Sequence, residues 1–288
     1  LAALASAFLW ATTTVMMRSQ SSRVDPISLN AWRSVTSAIF FVAMLFLLGR
    51  VPQLLQVPGP SILALCGSVM FGFLLGDTLF FKAMTMVGVS TALPISMTYP
   101  LYVLVIAVMF LGETITWLTV FGTLLTIAGT VSVAIGAPSE QSRSPRDRNI
   151  GILLALCSSW CFAASTSILK LGVEDVDVIA AGVIRLSLTS LILLFARAFF
   201  VRAEPFIAYG ARSLSIMSLA SLVGSGLGTI TYLVAVQQAG AAISSALATT
   251  APLFATPLSI IFLRERLTRR NVLGMVLCVA GVWLVIPR

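Results

Sequence analysis

Asp77 lies deep in an apolar run, "MFGFLLGDTLFF". An ionisable group inside a membrane segment is costly and by default marks a functional site. A carboxylate there could take up and release a proton, or set the field of a cavity. The competing reading is a quiet pairing with Lys82 or with an arginine on another helix; a late start to the run would also bring Asp77 near a surface. Arg33 and Arg185 also sit several residues inside apolar runs. Pairing near helix ends is the stronger reading for them, and a role toward a substrate carboxylate the lesser one. Glu113 and Glu265 suggest a paired-carboxylate site. Each, however, is followed three residues later by Thr116 or Thr268 and then by a new apolar run. That pattern fits threonine N-caps, with the glutamates beside positive helix ends. Histidine is absent, which removes His-based triads, His general bases and most zinc sites. Cys157 and Cys161 are one helical turn apart, but no second ligand pair accompanies them, so packing is the better reading. No metal and no cofactor is expected.

Hydroxyl and aromatic side chains recur near the points where apolar runs break. Trp10, Thr13 and Thr14 stand in the first run, and Trp160, Ser165 and Thr166 in the sixth. Tyr99 and Tyr102 flank Pro100, Thr249 and Thr250 precede Pro252, and Tyr232 lies in the run before them. Pro94 and Pro100 interrupt one run, and Pro252 and Pro257 another. Proline frees a backbone carbonyl and bends a helix, and broken helices line transporter cavities. These residues, with Asp77, make the candidate substrate-binding set; ordinary interhelical packing and interface anchoring compete for several of them.

The elements that must hold such a set are membrane helices. The chain has 288 residues, is 58% hydrophobic and 10% charged, and has a mean hydropathy of +1.03. A water-soluble domain carries roughly a quarter charged residues. The net charge of +8 does not point to nucleic acid, because the basic residues fall in short gaps between apolar runs and there set orientation. Ten runs have the length a bilayer crossing needs: 1–17, 26–48, 61–84, 90–111, 117–136, 150–171, 178–199, 213–236, 242–263 and 271–287. The first could pass for the apolar core of a signal peptide, but its counterpart at 150–171 argues for a mature helix. The longest connection, "APSEQSRSPRDRN" at 137–149, reads as a linker. It separates a first five-helix unit, 1–136, from a second, 150–288.

The two units say nearly the same thing. "PLYVLVIAVMFLGETIT" begins at Pro100 and "PLFATPLSIIFLRERLT" at Pro252, 152 positions later. At that one offset, without a gap, Arg33 meets Arg185, Asp25 meets Asp177, Gly72 and Gly76 meet Gly224 and Gly228, and Gly122 and Gly129 meet Gly274 and Gly281. The Gly-x-x-x-Gly pairs suit close helix packing in lipid; "GSGLG" lacks the flanking strand and Lys-Ser/Thr of a phosphate loop. Asp77 falls opposite Thr229, so it is not part of the duplicated scaffold. A unit with an odd number of spans ends on the side opposite to its start, so a second copy enters the membrane inverted. The expected fold is all-α, with ten transmembrane helices as two inverted five-helix repeats, an architecture of secondary transporters with a site near mid-membrane.

The segments "PL…FLGETIT…G……AGT" and "PL…FLRERLT…G……AGV", with the pairs Asp25/Arg33 and Asp177/Arg185, resemble two copies of the EamA-type domain of the drug/metabolite transporter superfamily. The resemblance covers essentially the whole chain. It implies a ten-helix transporter, usually an exporter of amino acids or other small metabolites, and names no particular substrate. It also implies cytoplasmic termini, whereas the basic residues, Arg143, Arg146, Arg148, Arg264, Arg266, Arg269 and Arg270 among them, lie chiefly on the opposite face from the termini. By the positive-inside rule that face would be cytoplasmic, so the two lines conflict.

The resulting expectation is a multi-pass protein of the inner (plasma) membrane. It would export amino acids or similar small molecules by alternating access. Its partners would be the substrate and the lipid bilayer, with protons as a candidate coupling ion and no nucleic acid; a monomer and a homodimer both fit. The alternative is an exporter of drugs or hydrophobic cations, with Asp77 as the anionic centre. A membrane-embedded enzyme would need clustered catalytic groups, and a non-transporting scaffold would need neither inverted halves nor broken helices.

Overall fold

In lipid, every backbone N–H and C=O must be satisfied within the protein, and helices do this within a single segment. The computed structural model describes residues 1–18, 20, 24, 26–87, 92, 95–135, 145–200, 205–251, 253–254, 257–258 and 269–285. These residues are helical almost throughout and form no strand. Asp25, Pro94, Pro252, Glu265 and Thr268 lie outside the described residues.

The helices of the first unit are α1 (Ala2–Arg18), α2 (Pro26–Leu47), the short α3 (Val51–Leu55), α4 (Gly59–Val69), α5 (Asp77–Val87), α6 (Tyr99–Phe110) and α7 (Trp117–Ile135). Those of the second are α8 (Pro145–Val173), α9 (Val178–Phe200), α10 (Ala211–Ser221), α11 (Gly228–Ala248) and α12 (Arg269–Val285). A π-helical segment, Met70–Gly76, joins α4 to α5, and another, Leu222–Leu227, joins α10 to α11. Five helical stretches are long and apolar enough to cross a bilayer: Ile27–Leu47, Gly59–Phe80, Arg148–Val173, Val178–Phe199 and Ala211–Ala248. Shorter apolar helices lie at Ala2–Met17, Tyr99–Phe110, Trp117–Ser132 and Val272–Val285 among the described residues. Helix α8 starts at Pro145, inside the stretch read as a linker.

The outer surface suits lipid. Phe46, Phe110, Trp117, Phe195, Phe199 and Trp283 are all exposed, where a water-soluble monomer would not leave so much contiguous apolar area. The interior joins the two units: Leu65 of α4 packs with Leu169 and Val173 of α8 and with Leu233 and Val236 of α11.

Contacts between the units come in matched pairs. Helix α1 packs on α10, α11 and the π segment between them, while α8 packs on α4, α5 and their π segment. Thr13 Oγ1 donates to the Ala220 carbonyl at 2.9 Å, and its counterpart Ser165 Oγ donates to the Ser68 carbonyl at 2.6 Å. A Cβ added to Gly76 would lie 2.8 Å from the Phe162 ring, and one added to Gly228 2.9 Å from Trp10. Helices α7 and α12 meet in the same reciprocal way. Gly122 touches Gly281 and Gly129 touches Gly274, so closely that a Cβ would fall 2.7 and 2.5 Å from the partner carbonyls. Between them, Cys278 Sγ donates to the Thr126 carbonyl at 3.5 Å. Residue numbers rise along α7 as they fall along α12, so this pair is antiparallel. A contact between i and j matched by one between their counterparts is the signature of a self-complementary, two-fold surface.

Breaks also recur in register. Turns at Met97–Thr98 and Thr249–Thr250 carry the same bonds: Thr98 Oγ1 donates to Ile95 O at 2.6 Å and Thr250 Oγ1 to Leu247 O at 2.7 Å. Pro100 then opens α6 at a position where its missing N–H costs nothing. Gly240 (φ +80) kinks α11 between the expected eighth and ninth spans. Gly112 (φ +64) ends α6, and Glu113 N–H bonds back to Ala107 O at 3.1 Å, a left-handed helix stop that glycine permits.

Candidate functional site

A cavity of about 490 Å³ opens where the two units face each other. It takes Trp10 and Thr13 from α1, Arg33 and Ser34 from α2, and Asp77 and Phe80 from α5. The second unit supplies Phe162, Ser165 and Thr166 from α8, Arg185, Leu186 and Thr189 from α9, and Thr229 and Tyr232 from α11. Gly72 and Phe73 enter from one π segment and Ser225 from the other, with Met97 from the break before α6 and Tyr99 from the first residue of α6. Many of these residues are counterparts across the repeat: Trp10 and Phe162, Thr13 and Ser165, Arg33 and Arg185, Phe73 and Ser225, Asp77 and Thr229, Phe80 and Tyr232.

The π segments explain why polar groups survive here. A wider turn disturbs the i→i−4 ladder, and such turns concentrate at functional sites. Carbonyls beside them are taken by side chains from the opposing helix. Besides the Thr13 and Ser165 bonds, Trp10 Nε1 donates to Gly224 O at 3.1 Å. Trp10 then lies against Tyr232, ring centroids 5.0 Å apart, while Phe162 meets Tyr99 at 6.2 Å and Phe80 at 6.5 Å. The result is an aromatic wall with a hydroxyl floor, which can hold an apolar group on one side and orient a polar one on the other.

Of the residues expected from sequence, the cavity gathers Trp10, Thr13, Asp77, Tyr99, Ser165, Thr166 and Tyr232. Four others stand apart from its lining. Tyr102 and Trp160 stack on each other at 4.4 Å, with Trp160 half exposed on the outer surface. Thr249 and Thr250 are buried and turn their hydroxyls back to Ala246 O and Leu247 O; they satisfy the helix break instead of facing the cavity. Thr14 lies on α1, one residue beyond Thr13.

Arg33 and Arg185, for which pairing near helix ends is the stronger expectation, both line the cavity. Arg33 Nη2 donates to Asn30 Oδ1 at 2.6 Å, and Arg33 and Asp77 lie within electrostatic reach of each other. The signal was present in the sequence: two cations at matched depth inside apolar runs.

Glu113 has a structural task that the spacing did not reveal. Thr116 Oγ1 does accept the Thr119 N–H at 3.2 Å, capping α7. The Glu113 carboxylate, however, crosses to the other unit and accepts from Ala241 N (2.6 Å) and Ala242 N (3.2 Å), just past the Gly240 kink. It neutralises the exposed N–H groups of a restarting helix.

Residues 1–135 and 149–286 both match the EamA-like transporter family. An uncharacterized transporter of Archaeoglobus fulgidus is 25% identical over 291 aligned positions, spanning 99% of this chain and 97% of the relative. A solved crystal structure, described only as that of a protein, superposes with a TM-score of 0.82 at 18% identity, over 99% of this chain and 95% of the other. That likeness speaks to the fold alone.

Proposed function

The chain belongs to the EamA-like transporter family and is a multi-pass membrane transporter, and on that premise we propose that it exports small metabolites, chiefly amino acids, by alternating access. The carrying observation is the central cavity itself, lined by counterpart residues from both units. In this reading the units are two inverted five-helix repeats that rock about the cavity in the inner (plasma) membrane. The antiparallel, reciprocal contacts of α7 with α12 support it, because a two-fold axis that reverses helix direction lies across the helices, in the membrane plane. The broken helices at Met97–Thr98, Thr249–Thr250 and Gly240 are candidate hinges.

The substrate in this reading is an uncharged or zwitterionic amino acid. Its apolar side chain lies against Trp10, Tyr99 and Phe162, and its polar end meets hydroxyls from α1 and α8. A strongly cationic substrate would go uncompensated on desolvation, since Asp77, the cavity's carboxylate among the described residues, already faces Arg33. Asp77 is the candidate for proton coupling. Purified protein in liposomes, offered a panel of radiolabelled amino acids, should show saturable movement that alanine at Trp10 or Tyr99 impairs. Movement of lipophilic cations with no amino acid moving would replace this reading with the drug-exporter one.

A further inference from the structure

Arg33 and Arg185 are the same residue of the repeat, held in the same way. Ser37 Oγ donates to the Arg33 carbonyl at 2.9 Å, and Thr189 Oγ1, its counterpart, to the Arg185 carbonyl at 2.8 Å. Their guanidinium partners differ. Arg33 has Asn30 as hydrogen-bond acceptor and Asp77 as neighbouring anion. At the positions 152 later the second unit has Gly182 in place of Asn30 and Thr229 in place of Asp77. The space beside Gly182 is filled by the Phe41 ring. Arg185 is only 7% exposed, and its buried Nε has no hydrogen-bond partner. No carboxylate lies within ion-pair distance of it among the described residues. Its electrostatic neighbour is the Tyr232 phenol, which carries no full charge of its own to offset the cation.

A buried guanidinium without an anion is among the costlier arrangements a protein can hold. Here it lines the cavity. We propose that Arg185 is the seat of the substrate's carboxylate, so that the ligand supplies the anion which the first unit carries internally as Asp77 and which Thr229 omits. A planar, two-pronged donor matches a carboxylate in geometry as well as charge. The aromatic walls of the same cavity, Trp10, Phe162 and Tyr232, specify the rest of the molecule: a monocarboxylate with an apolar or aromatic body. This inference rests on the export reading only in taking the cavity as the substrate site. It also assigns the two arginines different tasks, Arg33 being structural and Arg185 ligand-binding.

The test uses purified full-length protein and three probes: L-phenylalanine, its carboxamide, and 3-phenylpropanoate, which keeps the carboxylate and lacks the ammonium. Binding is read as the rise in thermal unfolding midpoint with probe concentration, and transport in liposomes. Both carboxylates should stabilise the wild type, and the amide should not. Thr229→Asp restores the missing internal anion, so it should weaken carboxylate binding about tenfold or more, the scale of one charged hydrogen-bonded contact. Thr229→Asn, of like size to the aspartate but neutral, should weaken carboxylate binding less than Thr229→Asp does. If Thr229→Asp does not fold, Arg185→Lys against Arg185→Gln replaces it, the lysine keeping more of the carboxylate preference. Equal binding of acid and amide, unchanged binding in Thr229→Asp, or no stabilisation by either carboxylate overturns the assignment. Carboxylate binding without amino-acid movement would sink the export reading and leave Arg185 in this role; amino-acid movement with no preference for acid over amide does the reverse.

Discussion

At the scale of single residues, the chain separates charges that build the fold from charges that face the cavity. Glu113 belongs to the first kind, since its two oxygens take Ala241 N and Ala242 N. Replacing it with alanine leaves two N–H groups at a helix start without an acceptor. The expected loss is about 1–3 kcal/mol, seen as a lower thermal midpoint, and Glu113→Gln should recover part of it because one acceptor remains. Transport per folded molecule should hardly change. Asp77 belongs to the second kind. If it carries a coupling proton, Asp77→Asn should insert normally yet lose the response of transport rate to an imposed pH gradient. Wild-type rates across a pH series would remove Asp77 from coupling and favour a passive carrier. The sequence made Asp77 visible because it broke the repeat. Arg33 and Arg185 were harder to read, because a matched pair looks like scaffold; only the loss of Asn30 and Asp77 at their counterparts, Gly182 and Thr229, sets Arg185 apart as the one without such partners.

At the scale of elements, close approach is bought with missing side chains, and the glycines that permit it were legible as a Gly-x-x-x-Gly pattern. What they touch was not. Gly76 and Gly228 face Phe162 and Trp10, which lie in the opposite unit, and no local pattern encodes a partner more than eighty residues away. The π segments were also invisible, because an inserted residue shifts a helix face without changing composition. Gly240 offers a clean test of element-level reasoning. It has φ +80, and a Cβ there would lie 2.5 Å from the Glu113 carboxylate. Gly49 has φ +63 with open space around it. Gly49→Ala should therefore cost only the left-handed backbone penalty of about 1–2 kcal/mol. Gly240, at φ +80 and ψ 173, lies in a region essentially reserved for glycine, and a Cβ there also displaces the cap, so the midpoint of Gly240→Ala should fall further. Equal losses would mean that neither the backbone nor the Glu113 contact at Gly240 contributes beyond an ordinary turn.

At the scale of the whole molecule, the duplication was read from sequence without a gap, and its consequence for topology is a matter of parity. A unit of five spans would reverse sides, and equivalent positions in the two units would then face opposite compartments. The reciprocal seam of α7 and α12 agrees with this, since a two-fold that pairs Gly122 with Gly281 and Gly129 with Gly274 reverses the helices it relates. What composition could not settle is which side is which, because the basic residues favour one answer and the family resemblance the other. One experiment decides both questions. Gln56, before α4, and Ala208, before α10, are counterparts and both are exposed. In a background with Cys66, Cys157, Cys161 and Cys278 replaced by alanine or serine, a single cysteine is placed at each position in turn. A membrane-impermeant maleimide applied to intact cells should label one of the two and spare the other until the membrane is opened. Labelling of both from outside, or of neither, would mean that the units are parallel, and the rocking mechanism would lose its axis. When one alone is labelled, its identity fixes orientation: an external Ala208 puts the α7–α8 connection, two spans away, outside with it and Gln56, five spans away, inside.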